Sequence, residues 1–142
     1  MANFIATAEV DVGASATKVW TALTDPDIIR QYFFGAEVQT DWRPGSPIVW
    51  RGEYNGKPFE DKGEILDVEQ NRLLRVTHFS PLSGQPDRPE NYHTLTYELD
   101  EHGGSTHVVL SQDNNGSEAE AEGATANWRA MLHSLKKTVE RS

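Results

Sequence analysis

The side chains that could do chemistry in this chain are few and scattered. Histidines stand at positions 78, 93, 102, 107 and 133. No two are spaced H-x-x-x-H or H-x-H, the patterns that turn two imidazoles toward one metal ion, so no metal site is expected. Cysteine is absent, which removes thiolate ligands, disulfides and a thiol nucleophile. Ser80, Ser83 and Ser111 have no recognisable base at a readable spacing, and no G-x-S-x-G, P-loop or Rossmann glycine pattern occurs. What remains is His78, in phase with Leu74 and Val76, and Asp61, in phase with Phe59 and Ile65. On an inward face either group could move a proton or hold a ligand. The commoner role for such a histidine is a core or rim residue satisfied by a neighbour. His93 and Tyr97 lie four apart in sequence, which on a strand separates them by roughly 13 Å, too far for a dyad. Among the acids of the same stretch, Glu60 and Glu64 share one face and Asp61 and Asp67 the other; most of the set reads as a solvated rim.

The aromatic residues are more informative. Trp20, Trp50, Tyr54, Phe59, Tyr97 and Trp128 come from separate elements, and their phases point inward. Trp20 fits plain core. Trp50 and Trp128 fit either core or the wall of an apolar pocket, since pockets are lined mostly by aromatic groups. Tyr54 and Tyr97 could each orient a ligand through a hydroxyl.

These residues need elements to position them. Phe4 to Val12 alternates as a strand, with Phe4, Ala6, Ala8, Val10 and Val12 on one face, and Gly13 ends it. Ser15 is placed to cap a short helix whose apolar face is Ala16, Val19, Trp20 and Leu23. Asp25-Pro26 opens a second, very short helix through Arg30. From Gly35 to Asn114 the period is two. Trp42-Arg43-Pro44-Gly45 is a turn. Ile48, Trp50, Gly52 and Tyr54 form one strand face. Asn55-Gly56 is a hairpin signal, because both residues tolerate positive φ. Phe59, Asp61, Gly63 and Ile65 return along the next strand, followed by Leu74, Val76 and His78. A proline-rich loop, Ser80 to Asn91, leads to His93, Leu95, Tyr97 and Leu99. Asp100 to Gly104 then turns into Thr106, Val108, Leu110 and Gln112. The pattern is an antiparallel meander. Ser117-Glu118-Ala119-Glu120 reads as a capping box, so Asn115-Gly116-Ser117 is the turn before a helix rather than a glycosylation site. That last helix carries Trp128, Leu132, Leu135 and Val139 on one face, acids at its start and bases at its end, as the macrodipole favours. Gly123 within it marks a bend or a close backbone approach. One helix cannot cover a strongly bent sheet completely, and the gap is a natural cavity.

A chain of 142 residues with 37% hydrophobic and 25% charged residues fits one globular domain spanning 1–142. The net charge of −9 repels phosphate backbones and anionic lipid, so nucleic acid is not an expected partner. No stretch approaches the roughly 18 apolar residues of a membrane span. The start of the chain lacks the basic and apolar segments of a signal peptide, and the lack of cysteine suits a reducing compartment. Both point to the cytoplasm.

Several segments resemble the START-like (SRPBCC) superfamily, and within it the proteins related to the activator of the heat-shock chaperone ATPase. Val19-Trp20-Thr21-Ala22-Leu23-Thr24-Asp25-Pro26 is similar to the family's "VW-x-A-L-T-D-P" start. Gly63-Glu64-Ile65-Leu66-Asp67-Val68 resembles its "G-x-V-x-x-V" strand, and Arg72 to His78 its "R-L-V-x-T-W" strand. Tyr97-Glu98-Leu99 with Gly104-Ser105-Thr106 resembles its next hairpin. Asn127-Trp128 with Leu132 and Leu135 resembles its "G-W-x-x-x-L-x-x-L" final helix. Two positions depart: Asn127 replaces a glycine, and the strand tryptophan is replaced near His78-Phe79. The resemblance implies an α+β helix-grip fold, a curved antiparallel sheet of about six or seven strands around a long C-terminal helix, with two short helices after the first strand. It also implies a superfamily of lipid carriers, polyketide cyclases and chaperone regulators, so fold alone does not select a function.

The expected function is non-catalytic binding of a small apolar or amphipathic molecule between sheet and helix, with no cofactor. The expected contacts are Trp50, Tyr54, Phe59, Ile65, Val76, His78, Tyr97, Leu110, Gln112, Trp128 and Leu132. Two alternatives stand beside it: a chaperone-regulating or protein-interaction module, and a cyclase- or hydrolase-like enzyme using His78 or Asp61. A monomer and a homodimer are both compatible with the sequence.

Overall fold

The computed structural model of the chain describes residues 4–33, 35–54, 56–81 and 84–141, with Tyr54 described by its backbone alone. The Asn55 half of the hairpin signal, the Tyr54 hydroxyl and Ser83 therefore lie outside the described residues. β1 (Phe4–Val12) turns Ala6, Ala8, Val10 and Val12 into the core. Phe4 does not join that face. A register shift against the last strand between Phe4 and Ala6 turns it outward, and both Phe4 and Ile5 are exposed.

α1 (Ala16–Thr24) starts at Ser15, whose side chain accepts the Lys18 N–H at 3.2 Å, as an N-cap should. α2 (Pro26–Tyr32) starts at Asp25, which accepts the Asp27 N–H at 2.9 Å, with Pro26 in the first turn. Then come β2 (Glu37–Gln39), β3 (Pro47–Tyr54), β4 (Lys57–Glu69), β5 (Leu73–His78), β6 (His93–His102), β7 (Ser105–Asn115) and α3 (Glu118–Arg141). The strands form one seven-stranded sheet in the order β1-β7-β6-β5-β4-β3-β2, every neighbouring pair antiparallel. It is a meander from β2 to β7, closed by β1 lying along β7. The Trp42–Gly45 turn holds Trp42 at φ 60° and Gly45 at φ 90°, with Ser46 N–H donating to the Arg43 carbonyl at 3.0 Å.

Two features bend this sheet. At Gly63 the strands β4 and β5 approach so closely that a Cβ there would fall 1.8 Å from the Thr77 carbonyl oxygen. On either side the contact is sealed by Lys62 and Phe79 exchanging backbone hydrogen bonds at 3.0 and 2.8 Å, and by Glu64 N–H donating to Thr77 Oγ1 at 2.9 Å. Two residues on, a register shift between Ile65 and Asp67 inserts a bulge, and a bulge reverses the in-and-out phase of the residues beyond it. Asp67 consequently does not share a face with Asp61. It turns outward to an ion pair with Arg75 at 2.9 Å.

α3 begins with Ser117 accepting the Glu120 N–H at 3.1 Å, while the Glu120 carboxylate reaches back to the Gly116 N–H. Its buried face is Ala121, Trp128, Met131, Leu132, Leu135 and Val139. Met131, fully buried, falls outside the apolar stripe read from the sequence. The helix lies chiefly along β1, with lesser contact to β7. No neighbouring atom comes within 4 Å of a Cβ built on Gly123, so that glycine serves no close backbone approach.

The two glycines should therefore respond oppositely to alanine. Gly63→Ala is expected to destabilise the fold by about 1–3 kcal/mol or more, as overpacking against an immovable backbone does. Gly123→Ala is expected to stabilise it by up to about 1 kcal/mol through helix propensity. Urea melts of both variants check this, and a Gly63→Ala protein as stable as the parent would refute the packing described.

Candidate functional site

Because α3 leans on β1, the concave face of the sheet is left uncovered beneath the first half of the helix. A cavity of about 590 Å³, partly open to solvent, occupies this gap. Phe59 and Asp61 of β4, His78 of β5, His93 of β6 and Gln112 and Asn115 of β7 form its floor. Glu120, Gly123, Ala124, Asn127 and Trp128 of α3 form its roof, with Phe33 and Ser80 at its sides.

Each wall residue is held by its neighbours. Phe59 pairs across the strands with Gly52, and a Cβ on that glycine would come within 2.8 Å of the Phe59 ring. The missing side chain gives the ring its place. Trp50 pairs with Asp61, and the Trp50 ring stands edge-on to His78, 5.0 Å between centroids at 67°. His78 Nε2 lies 2.9 Å from Asp61 Oδ2, and both side chains are only 15% exposed. A carboxylate only accepts, so the proton of this contact sits on Nε2. Asp61 Oδ1 is buried without a hydrogen-bond partner among the described residues. On the opposite wall the Trp128 indole N–H donates to Gln112 Oε1, which fixes the amide orientation because an indole nitrogen can only donate. The Trp128 ring also packs at 6.0 Å from Phe33. His93 Nδ1 is 2.8 Å from the Asp113 carbonyl, and Asn115 donates to the carbonyls of Phe4 and Gln112 at 3.0 and 3.1 Å.

Of the ligand contacts expected from sequence, Phe59, His78, Gln112 and Trp128 line this cavity, and so does Asp61, the other group singled out there. Trp50, Val76 and Tyr97 face a separate void of about 30 Å³ deeper in the core, room for about one water. Ile65, Leu110 and Leu132 are fully buried and line neither space. The sequence reading missed Phe33, Asn115, Glu120 and Ala124; it weighed Ser80 only as a nucleophile lacking a base and His93 only as a partner for Tyr97. Asn127 and His78 carried a usable signal, since both mark departures from the family pattern and both stand on the cavity wall. Among the described residues, no three His, Asp or Glu side chains cluster in a way that could hold a metal ion.

Burial raises the Tyr97 hydroxyl pKa well above its ordinary value of 10.0. Tyr32, whose hydroxyl donates to the Ala22 carbonyl at 2.8 Å, is raised by burial and then by Tyr97. A phenol raised in the folded state leaves stability intact below its unfolded pKa, and stability falls as pH climbs above it. Stability should therefore decline above about pH 10, and Tyr97→Phe should make the decline shallower. Denaturant midpoints measured across that range test it. For the roof, Gln112→Leu should cost about 1–3 kcal/mol by leaving the indole N–H buried and unpaired. The same change in a Trp128→Phe background should cost clearly less, a coupling that a double-mutant cycle reads directly.

The similarities of the chain agree with this architecture. No curated protein matches it. A solution structure of a protein from Cytophaga hutchinsonii is 46% identical, covering 97% of this chain and 94% of that one, with a TM-score of 0.84. A crystal structure from Mesorhizobium loti (20% identity, 98% of each chain, TM-score 0.77) and CalU16 from Micromonospora echinospora (22% identity, 98% of this chain and 87% of that one, TM-score 0.73) share the fold. The family model described as activator of Hsp90 ATPase homolog 1-like protein matches residues 13–140, nearly the whole chain, and the resemblance carried by Val19–Pro26, Gly63–Val68 and Asn127–Leu135 is borne out: the chain belongs to that family.

Proposed function

We propose that the protein binds a small apolar or amphipathic molecule in the cavity beneath α3, without covalent chemistry and as a single domain over residues 1–142. The observation that carries this reading is the cavity itself, about 590 Å³, within the usual range for ligand pockets. Phe33, Phe59, Ala124 and Trp128 supply apolar surface; His78 and Gln112 supply polar contacts. Trp50, Ile65, Val76, Tyr97, Leu110 and Leu132 support the wall from behind. A cysteine-free acidic chain suits the cytoplasm.

The family description names an activator of a chaperone ATPase, which suggests a protein-docking role instead. Such a role needs an exposed apolar patch. Among the described residues the exposed large apolar side chains are Phe4 and Ile5, at one end of an edge strand. That is little surface for a partner, and the ligand reading is preferred.

A ligand that binds only the folded state stabilises it by about 2.7 kcal/mol at a hundredfold excess over Kd, which should raise the melting temperature by roughly 5–10 °C. Fatty acids, steroid-like and flavonoid-like molecules are a suitable thermal-shift panel. Ala124→Phe, which places a ring in the cavity, should abolish the shift of any true hit. A panel without hits, or shifts that survive Ala124→Phe, would count against the cavity as the binding site.

A further inference from the structure

The hydrogen-bonding atoms on the cavity wall are unevenly distributed. Most of the donors are already committed to the protein. The Trp128 indole N–H goes to Gln112, the His78 Nε2–H to Asp61, the His93 Nδ1–H to the Asp113 carbonyl and the Asn115 amide N–H groups to two carbonyls. With those donors facing inward, the complementary atoms are acceptors. These are Asn115 Oδ1 and, where the imidazoles carry a single proton, His78 Nδ1 and His93 Nε2. Asp61 Oδ1, buried and without a donor among the described residues, adds a further unmet acceptor beside His78. The amides of Gln112 and Asn127 remain as side-chain donors. Among the described residues the lining contains two carboxylates, Asp61 and Glu120, and no lysine or arginine.

Such a wall discriminates by the ligand's own polar group. A hydroxyl donates into acceptors that otherwise lack a partner, and buried acceptors without donors are costly. A carboxylate offers only acceptors, meets two acids and finds no cation to offset its desolvation. Resting on the reading that this cavity binds small molecules, we propose that its ligand is an uncharged hydroxylated aromatic compound and that carboxylated amphiphiles are excluded, with the Asp61–His78 pair as the element that selects the hydroxyl. Asp61 acts here as a positioning residue, holding the tautomer that leaves Nδ1 free to accept.

Three probes of one shape test this at neutral pH: 2-naphthol, 2-methylnaphthalene and 2-naphthoate, each titrated calorimetrically into the full chain. One good hydrogen bond corresponds to about a tenfold change in Kd. The expected result is 2-naphthol binding at least about tenfold tighter than either other probe. His78→Phe should erase the advantage of 2-naphthol over 2-methylnaphthalene while leaving the hydrocarbon's affinity within about twofold. Asp61→Asn, which removes the charge and releases the tautomer, should reduce the 2-naphthol preference and improve 2-naphthoate. Equal binding of 2-naphthol and 2-methylnaphthalene, or tightest binding of 2-naphthoate, would overturn the selectivity while leaving the binding cavity standing. Failure of all three to bind would overturn both.

Discussion

The hydrogen bond from the Trp128 indole to the Gln112 side chain crosses the seam between α3 and β7, and the form of the site depends on it. A buried indole N–H left unpaired costs about 1–3 kcal/mol, so the helix is held where Gln112 can reach it. Below that point Met131, Leu132, Leu135 and Val139 pack the helix onto the core. Above it the roof is Gly123, Ala124 and Asn127, residues too short to fill the space down to the sheet. One bond therefore separates a packed half of the helix from a half that spans a hollow.

The sheet supplies the other half of the hollow. A seven-stranded sheet flat enough to meet the helix along its length would leave no cavity. Gly63 and the bulge at Ile65–Asp67 prevent this by bringing β4 and β5 together and altering their twist. The same bend carries Asp61 to His78, seventeen positions away in sequence, and sets both against Trp50. Shape and polarity of the floor thus arise from one distortion. The acidic character of the chain extends into the cavity, where two carboxylates, Asp61 and Glu120, and no lysine or arginine stand among the described lining residues.

Local signals in the sequence survive into the structure because they are satisfied within a few residues. Ser15, Asp25 and Ser117 each cap a helix through a backbone N–H two or three positions ahead. The alternation of β3, β5, β6 and β7 fixes which side chains face inward, and the turn at Trp42–Gly45 arises from its own residues. Phase arguments fail where an extra residue enters a strand. Phe4 and Asp67 both fall beyond such irregularities, and both turn to the face opposite the one their alternation implies. Phase also cannot distinguish a wall from a core. Ile65, Leu110 and Leu132 face inward as expected yet pack solidly, whereas Phe59, Gln112 and Trp128 face the same interior and border empty space. The partnerships that define the site, His78 with Asp61, Trp128 with Gln112 and His93 with the Asp113 carbonyl, each join residues 16 to 20 positions apart. Nothing in local spacing encodes them.

The chain has four tryptophans, and they report on the cavity by their positions. Trp128 borders it, Trp50 stands one ring behind it against His78, Trp42 faces the smaller void, and Trp20 of α1 lies in the core. The most direct measurement is a nitrogen–proton correlation spectrum of the indole N–H groups during titration with 2-methylnaphthalene. A binding cavity beneath α3 requires the Trp128 signal to move most and to saturate, with Trp50 shifting weakly and Trp20 unchanged. Saturable binding that leaves the Trp128 signal in place, or that moves all four signals alike, would contradict it.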